Sequence, residues 1–250
     1  MQDILLKAVR RMESKGAQFC DAKAQTVRTI GVQSINGDIR QLLQRNTGGV
    51  CLRAWIDGRW GYGTVTSFDE YDIMASAEAA VRNAIGSPKG KFRLEPDVIV
   101  KSLRPDVKVH PDDVDLEEKI TAVLDVDKAQ ETEKVLNRIG SYAEEIKDNV
   151  IVNSVGSRID WQEVRTRFGA MSIASEGPRL ERYYDGPSGT AGYELIRDLD
   201  IERMGREVAE EAVKTLKAVR PPSGKLTVIS DPMMSGLLAH EAMGHPSEAD

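Results

Sequence analysis

The pairs Asn36-Gly37 and Asp57-Gly58 constrain the fold more than any other local feature, because they supply the consecutive positive-φ positions of a two-residue hairpin turn. Between Ala24 and Ser67, short β-type runs are separated by these pairs and by Thr47-Gly48-Gly49, which implies an antiparallel meander of about four strands. Ahead of the meander, Leu5, Leu6, Val9 and Met12 repeat at helical spacing and Gly16 is placed to end that helix. Behind it, Ser67-Phe68-Asp69-Glu70 has the form of a capping box for an alanine-rich helix, and Gly86-Ser87-Pro88 breaks that helix after Ile85.

Pro96, Pro105 and Pro111 interrupt the next stretch, so residues 91–114 are expected to run extended over a surface rather than inside a sheet. His110 lies there beside Pro111 and is expected to be a loop residue rather than a metal ligand. Asp115-Leu116-Glu117-Glu118 resembles a helix start, and the charged segment to Ile146 fits one or two amphipathic helices. Alternation returns from Val150 to Tyr184, with turns at Gly156-Ser157 and Glu176-Gly177-Pro178, giving a second antiparallel set. The run from Gly186 to Gly192 lacks the Gly-Lys-Ser/Thr ending of a phosphate loop and is expected to be a flexible connection. A helix over Leu199–Val219 stops at Pro221-Pro222-Ser223-Gly224, where a domain boundary is expected. The class is α+β, with an N-terminal domain of antiparallel hairpin sheets and flanking helices over residues 1–222, and a second domain opening over residues 223–250.

Composition excludes several functions. Lys and Arg are interspersed with Asp and Glu at a formal charge of -6, which gives a nucleic acid partner little support. No stretch approaches the roughly 20 apolar residues of a membrane span, and no basic-then-apolar leader opens the chain, so a cytoplasmic location is expected. Cys20 and Cys51 are too few for a disulfide scaffold and are expected to be free, reduced and structural.

The chemistry lies at the other end. Lys225–Ser230 has the form of a short strand, and Asp231-Pro232 puts an N-cap before a proline at the first helical position. Met233, Met234, Leu237 and Leu238 are spaced to pack that helix on a core and carry its later turns to a cavity. His240-Glu241-Ala242-Met243-Gly244-His245 then places two imidazoles around a carboxylate, the donor set of a metal-dependent hydrolase. In the common zinc motif the histidines are four apart and lie about 40° from each other around the helix; five apart on a regular α-helix they diverge by about 140°. Convergence therefore requires a wide or broken helix, expected between Met243 and Pro246, with Gly244 free to adopt unusual dihedrals and Pro246 disfavouring the α conformation at His245. Glu241 is the candidate general base, and Glu248 and Asp250 are candidates to orient an imidazole through its second nitrogen. A third protein ligand is not evident. The competing reading is a non-catalytic scaffold or assembly subunit in which the histidines are structural.

The string His240-Glu-Ala-Met-Gly-His245-Pro-Ser-Glu248-Ala-Asp250 resembles the HEAxGHxxExD signature of the TldD/PmbA family of zinc-dependent peptidases. The preceding elements are similar to that family's N-terminal domain. The resemblance implies zinc held by His240 and His245, catalysis by Glu241, a third ligand from a distant downstream cysteine, peptide substrates, and a heterodimer with a paralogous subunit that lacks the motif. This chain has no cysteine after Cys51, so it is expected to stop short of the complete metallopeptidase domain and, as given, to bind zinc weakly and be inactive.

Overall fold

A computed structural model describes residues 1–90 and 94–248. The chain divides into two compact units, Met1–Lys217 and Ala218–Asp250.

The first unit is built on one sheet of eight strands. Helix α1 (Gln2–Ser14) leads into β1 (Phe19–Ile35), β2 (Asp38–Ile56), β3 (Arg59–Val65) and helix α2 (Glu70–Gly86). A short strand β4 (Val100–Leu103), helix α3 (Leu116–Ala129), β5 (Val135–Asn153), β6 (Arg158–Glu176), β7 (Arg179–Asp185), β8 (Ser188–Gly189), a single turn α4 (Glu194–Arg197) and helix α5 (Ile201–Thr215) complete it. The main strand order is β3-β2-β1-β5-β6-β4, with β7 and β8 also pairing to β6. The two expected antiparallel sets are therefore one sheet, joined where β1 pairs with β5 from Asp21↔Asn153 to Ile35↔Ile139. At 19 residues each, β2, β5 and β6 reach about 60 Å.

Local chemistry explains the hairpins. Asn36 (φ 54) and Gly37 (φ 85), then Asp57 (φ 48) and Gly58 (φ 83), take the left-handed turn positions. Thr47-Gly48-Gly49 is not a turn, and the meander has three strands instead of four. The glycines sit inside β2 because the chain packs too closely for a side chain: a Cβ on Gly48 would lie 2.6 Å from the Gln25 carbonyl and 2.8 Å from the Phe68 ring. The cap of α2 is Asp69, which accepts from the Tyr71 N–H, and Ser67 instead accepts from the Asp69 N–H.

Alternate residues of the long strands face the helices. At one end, Cys20, Ala22, Ala24, Leu52 and Ala54 pack against Leu5, Val9 and Met12 of α1 and Ile73, Ala77 and Ala80 of α2. At the other, Val32, Tyr142, Phe168 and Ala170 pack against Val123 and Val126 of α3, Tyr193 just before α4 and Ile196 within it, and Met204 and Val208 of α5. Between the two cores runs a polar seam in which Arg28 pairs with Asp112 at 2.6 Å and Gln162 donates to Asp148 at 2.8 Å. His110 belongs to this seam: Nε2 lies 3.1 Å from Gln162 Oε1, and Nδ1 accepts from the Asp112 N–H. Its place is structural.

The helical reading of the segment up to Ile146 holds only to Ala129; Val135 onward is β5. Gly140, Tyr142, Glu144 and Ile146 alternate inward, and the charge that disguises this alternation is Glu144, neutralised in the core by Lys119 of α3 at 2.7 Å. The expected helix over Leu199–Val219 is shorter, Ile201–Thr215, because Asp200 caps it through the Arg203 N–H. Glycines without unusual dihedrals allow helix and sheet to touch: a Cβ on Gly61 would meet the Ala80 carbonyl at 2.0 Å and one on Gly63 the Ser76 carbonyl at 2.1 Å. β4 runs parallel to β6 at the sheet margin and is exposed, as its proline-rich surroundings require.

In the second unit, Lys225–Ser230 forms no strand, correcting the sequence expectation; a strand needs a hydrogen-bonding neighbour, and the described residues provide none. Helix α6 (Pro232–Ala239) starts where Asp231 accepts from the Met234 N–H at 2.7 Å. The expected packing of its apolar residues is not found: Met233, Met234, Leu237 and Leu238 are exposed. No helix among the described residues is long and apolar enough to cross a membrane.

Candidate metal centre

Helix α6 widens as it ends. His240–Gly244 forms a π turn, closed by the His245 N–H donating to the His240 carbonyl, and His245–Ser247 forms a 3-10 turn. The π turn inserts one extra residue before the ladder closes, so residues five apart are stacked as residues four apart are on an α-helix. The widening starts at His240, earlier than the sequence suggested. It uses no unusual dihedral. Gly244 has φ -68 and ψ -63, and His245 is helical at φ -60 and ψ -43 despite the following proline. A Cβ at Gly244 would lie 3.4 Å from His240 Nδ1, an ordinary van der Waals contact beside that ring. Pro246 contributes its missing N–H, which ends the ladder. Ser247, which the sequence reading did not single out, donates its hydroxyl to the Met243 carbonyl at 2.6 Å, and the Glu248 N–H donates to the His245 carbonyl at 3.1 Å.

The result is a cluster. The His240 and His245 rings lie 4.7 Å apart at 75°. Ligand atoms of His240, Glu241 and His245 all lie within 4.8 Å of one another. Glu241 Oε2 is 3.8 Å from His245 Nε2, and Glu248 Oε1 is 3.2 Å from His245 Nδ1. Asp250 lies outside the described residues. The two thiols belong to the first unit: Cys20 is buried with its Sγ donating to the Val9 carbonyl, Cys51 lies in β2, and both are free. Burial first, then the charge of Glu13, pushes the Cys20 thiol up to about 12.

Two imidazoles and a carboxylate on a widened helical turn make this an α+β protein with a candidate centre for a divalent metal of borderline softness. Comparison with known proteins specifies the class. The description "PmbA/TldA metallopeptidase domain 1" matches residues 20–86, and "PmbA/TldA metallopeptidase central domain" matches residues 109–216. The first covers β1 to the end of α2 and the second α3 to the end of α5; the histidine cluster follows both. The chain belongs to the PmbA/TldA metallopeptidase family. A protein named Metalloprotease from Methanothermobacter thermautotrophicus is 30% identical over 239 residues, covering 93% of this chain and 51% of the relative. A protein named Zinc metalloprotease TldD homolog from Saccharolobus solfataricus is 24% identical over 251 residues, covering 98% of this chain and 54% of the relative. This chain thus spans about half the length of the curated relatives it matches. The fold is also that of a candidate modulator of DNA gyrase from Bacteroides thetaiotaomicron, with a TM-score of 0.82 at 18% identity over 97% of this chain and 56% of the other. TldE from Thermococcus kodakarensis shares it at a TM-score of 0.60 and 16% identity, over 84% of this chain and 47% of the other.

Proposed function

We propose that this chain contributes metal-binding and proton-transfer groups to a zinc-dependent peptidase that hydrolyses peptide bonds in small or unfolded polypeptides. The observation that carries the reading is the π turn, which brings the rings of His240 and His245 to 4.7 Å of each other with Glu241 between them in sequence. The names of the two archaeal relatives support the metal and the reaction class.

The donor set fits zinc. A tetrahedral ion with nitrogen ligands at 2.0–2.1 Å holds them about 3.4 Å apart. Candidate ligand atoms of His240 and His245 already lie within 4.8 Å of one another, and the His245 side chain is 51% exposed and free to rotate. In this reading His240 and His245 are the ligands, and Glu241 accepts the proton that the attacking water loses and delivers it to the leaving amine. Zinc, when bound, polarises the scissile carbonyl and makes ionised water available near neutral pH. Two histidines leave a third protein ligand to be supplied. Buried Cys20 is unsuited to it, and we assign no residue of this chain to that position.

The remaining parts of the reading follow from the same relationships. We place the domain division at Pro221-Pro222-Ser223-Gly224, with residues 1–222 as the N-terminal domain and 223–250 as the opening of the metallopeptidase domain, a division supported by the compact unit that ends at Lys217. A paralogous, motif-lacking subunit is the proposed partner in a heterodimer, supported by the shared fold with TldE. Two unpaired thiols suit the cytoplasm.

Metal analysis and cleavage of an unfolded fluorogenic peptide, both with a purified protein of the relatives' full length that includes this chain, test the proposal. The wild type is expected to hold one zinc. His240→Ala should lose both metal and cleavage, whereas Glu241→Gln should keep the metal and lose at least about a hundredfold in rate. A wild-type protein that holds no zinc would replace this reading with that of a non-catalytic scaffold or assembly subunit.

A further inference from the structure

Between Pro246 and Glu248 the chain does something that neither histidine requires for itself. After the π turn it tightens into a 3-10 turn over His245–Ser247, in which residues three apart eclipse one another. The tightening brings residue 248 beneath residue 245. Its closing bond runs from the Glu248 N–H to the His245 carbonyl at 3.1 Å, and the Ser247 hydroxyl ties the turn to the Met243 carbonyl. The Glu248 carboxylate consequently meets one particular atom, Nδ1 of His245, at 3.2 Å. The other ring nitrogen, Nε2, faces Glu241 at 3.8 Å.

A neutral imidazole has one N–H, and the acceptor it meets decides which nitrogen carries it. Left to itself, the His245 ring has two carboxylates to choose between. If Nε2 carried the proton it would turn toward Glu241, which would close the metal-facing lone pair and occupy the proposed base. If Nδ1 carries it, Nε2 is an open donor atom and Glu241 is free. We propose that Glu248 is a positioning residue that accepts the Nδ1–H of His245, fixing the tautomer that presents Nε2 to a metal and keeping this imidazole from capturing Glu241. The role rests on the metal reading above and adds to it the nitrogen used and the residue that selects it. Hydrogen-bonded carboxylates behind metal-binding imidazoles both orient the ring and raise its basicity.

The chain has three histidines, His110, His240 and His245, so the ring nitrogens can be assigned individually by 15N NMR of the metal-free protein. The wild type should show His245 protonated at Nδ1. Glu248→Ala should shift that population toward Nε2 and weaken zinc binding by about tenfold to a hundredfold in chelator competition. Glu248→Gln retains an acceptor oxygen and should restore most of the Nδ1–H form and bring affinity to within about tenfold of the wild type. Because the Glu248 side chain is 56% exposed, neither substitution removes core packing, and unchanged circular dichroism confirms it. Zinc affinity and His245 tautomer both unaltered in Glu248→Ala would overturn the proposal while leaving the metal reading intact. A wild type that binds no zinc overturns the metal reading itself, and with it this one, and is recognised without any variant.

Discussion

The backbone N–H of His245 donates to the backbone carbonyl of His240, so the hydrogen bond that widens the helix is made by the same two residues whose rings it brings together. Spacing and geometry are tied at this point. A five-residue separation is unusable on an α-helix and usable on one π turn.

Deleting Ala242 reduces the separation to four residues, and an ordinary α turn then aligns the rings about 40° apart. Zinc affinity should stay within about tenfold of the wild type, a margin of 1.4 kcal/mol. Inserting one alanine at the same place should abolish binding, because six residues turn the rings about 120° apart on an α-helix and exceed by one the five-residue closure of a π turn. Chelator competition on both variants checks the pair. Equal loss in both would mean that the π turn aligns nothing.

Gly63, like Gly61, makes a close helix contact on β3 that a single methyl can test. A Cβ there would lie 2.1 Å from the Ser76 carbonyl and 2.8 Å from its hydroxyl, and the first of these is helix backbone that cannot rotate away. Gly63→Ala should force α2 off the sheet and cost about 3 kcal/mol. The midpoint of urea unfolding reports it.

Lys119 and Glu144 form an ion pair with both side chains 2% exposed, and the Tyr142 hydroxyl also donates to Glu144. Lys119→Met leaves a buried carboxylate without its counter-charge and should destabilise by about 3–5 kcal/mol. The double variant Lys119→Met with Glu144→Leu should recover most of that loss, since two apolar groups of similar volume need no partner. Recovery in a double-mutant cycle is the deciding measurement.

Cys20 makes stability depend on alkaline pH. Burial, then the Glu13 charge, raises its thiol from 9.0 to about 12 in the fold. The unfolded chain therefore releases this proton first as pH rises. The stabilisation is complete below the unfolded value and declines as pH climbs from about 9 toward about 12. Urea midpoints at pH 8 and pH 10.5 should fall in the wild type and fall distinctly less in Cys20→Ala. Parallel declines in the two proteins would show that other groups govern the alkaline limit.

Local signals in the sequence are legible where the structure depends on neighbours in the chain. Asn36-Gly37 and Asp57-Gly58 are hairpin turns, Asp231 caps α6, and His240 to Pro246 departs from the α-helix as the five-residue spacing demanded. Gly48 and Gly49 misled because a glycine required for close contact with Phe68 and Gln25 looks the same as one required for a turn. The stretch before Ile146 misled for a related reason: Glu144 breaks the apolar alternation of β5, and only Lys119, delivered by another element, makes it an inward position.

The amino-acid sequence by itself settled the α+β class, the hairpin turns at Asn36-Gly37 and Asp57-Gly58, the Asp231 cap of α6 and the unusual reach between two imidazoles, since each depends on interactions within a few residues. Tertiary structure alone decided that β1 pairs with β5 to make one sheet from two meanders, that His110 fastens a polar seam between two cores, and that a buried lysine neutralises a buried glutamate. Those outcomes depend on which distant surfaces exclude water together, and no local pattern encodes that choice.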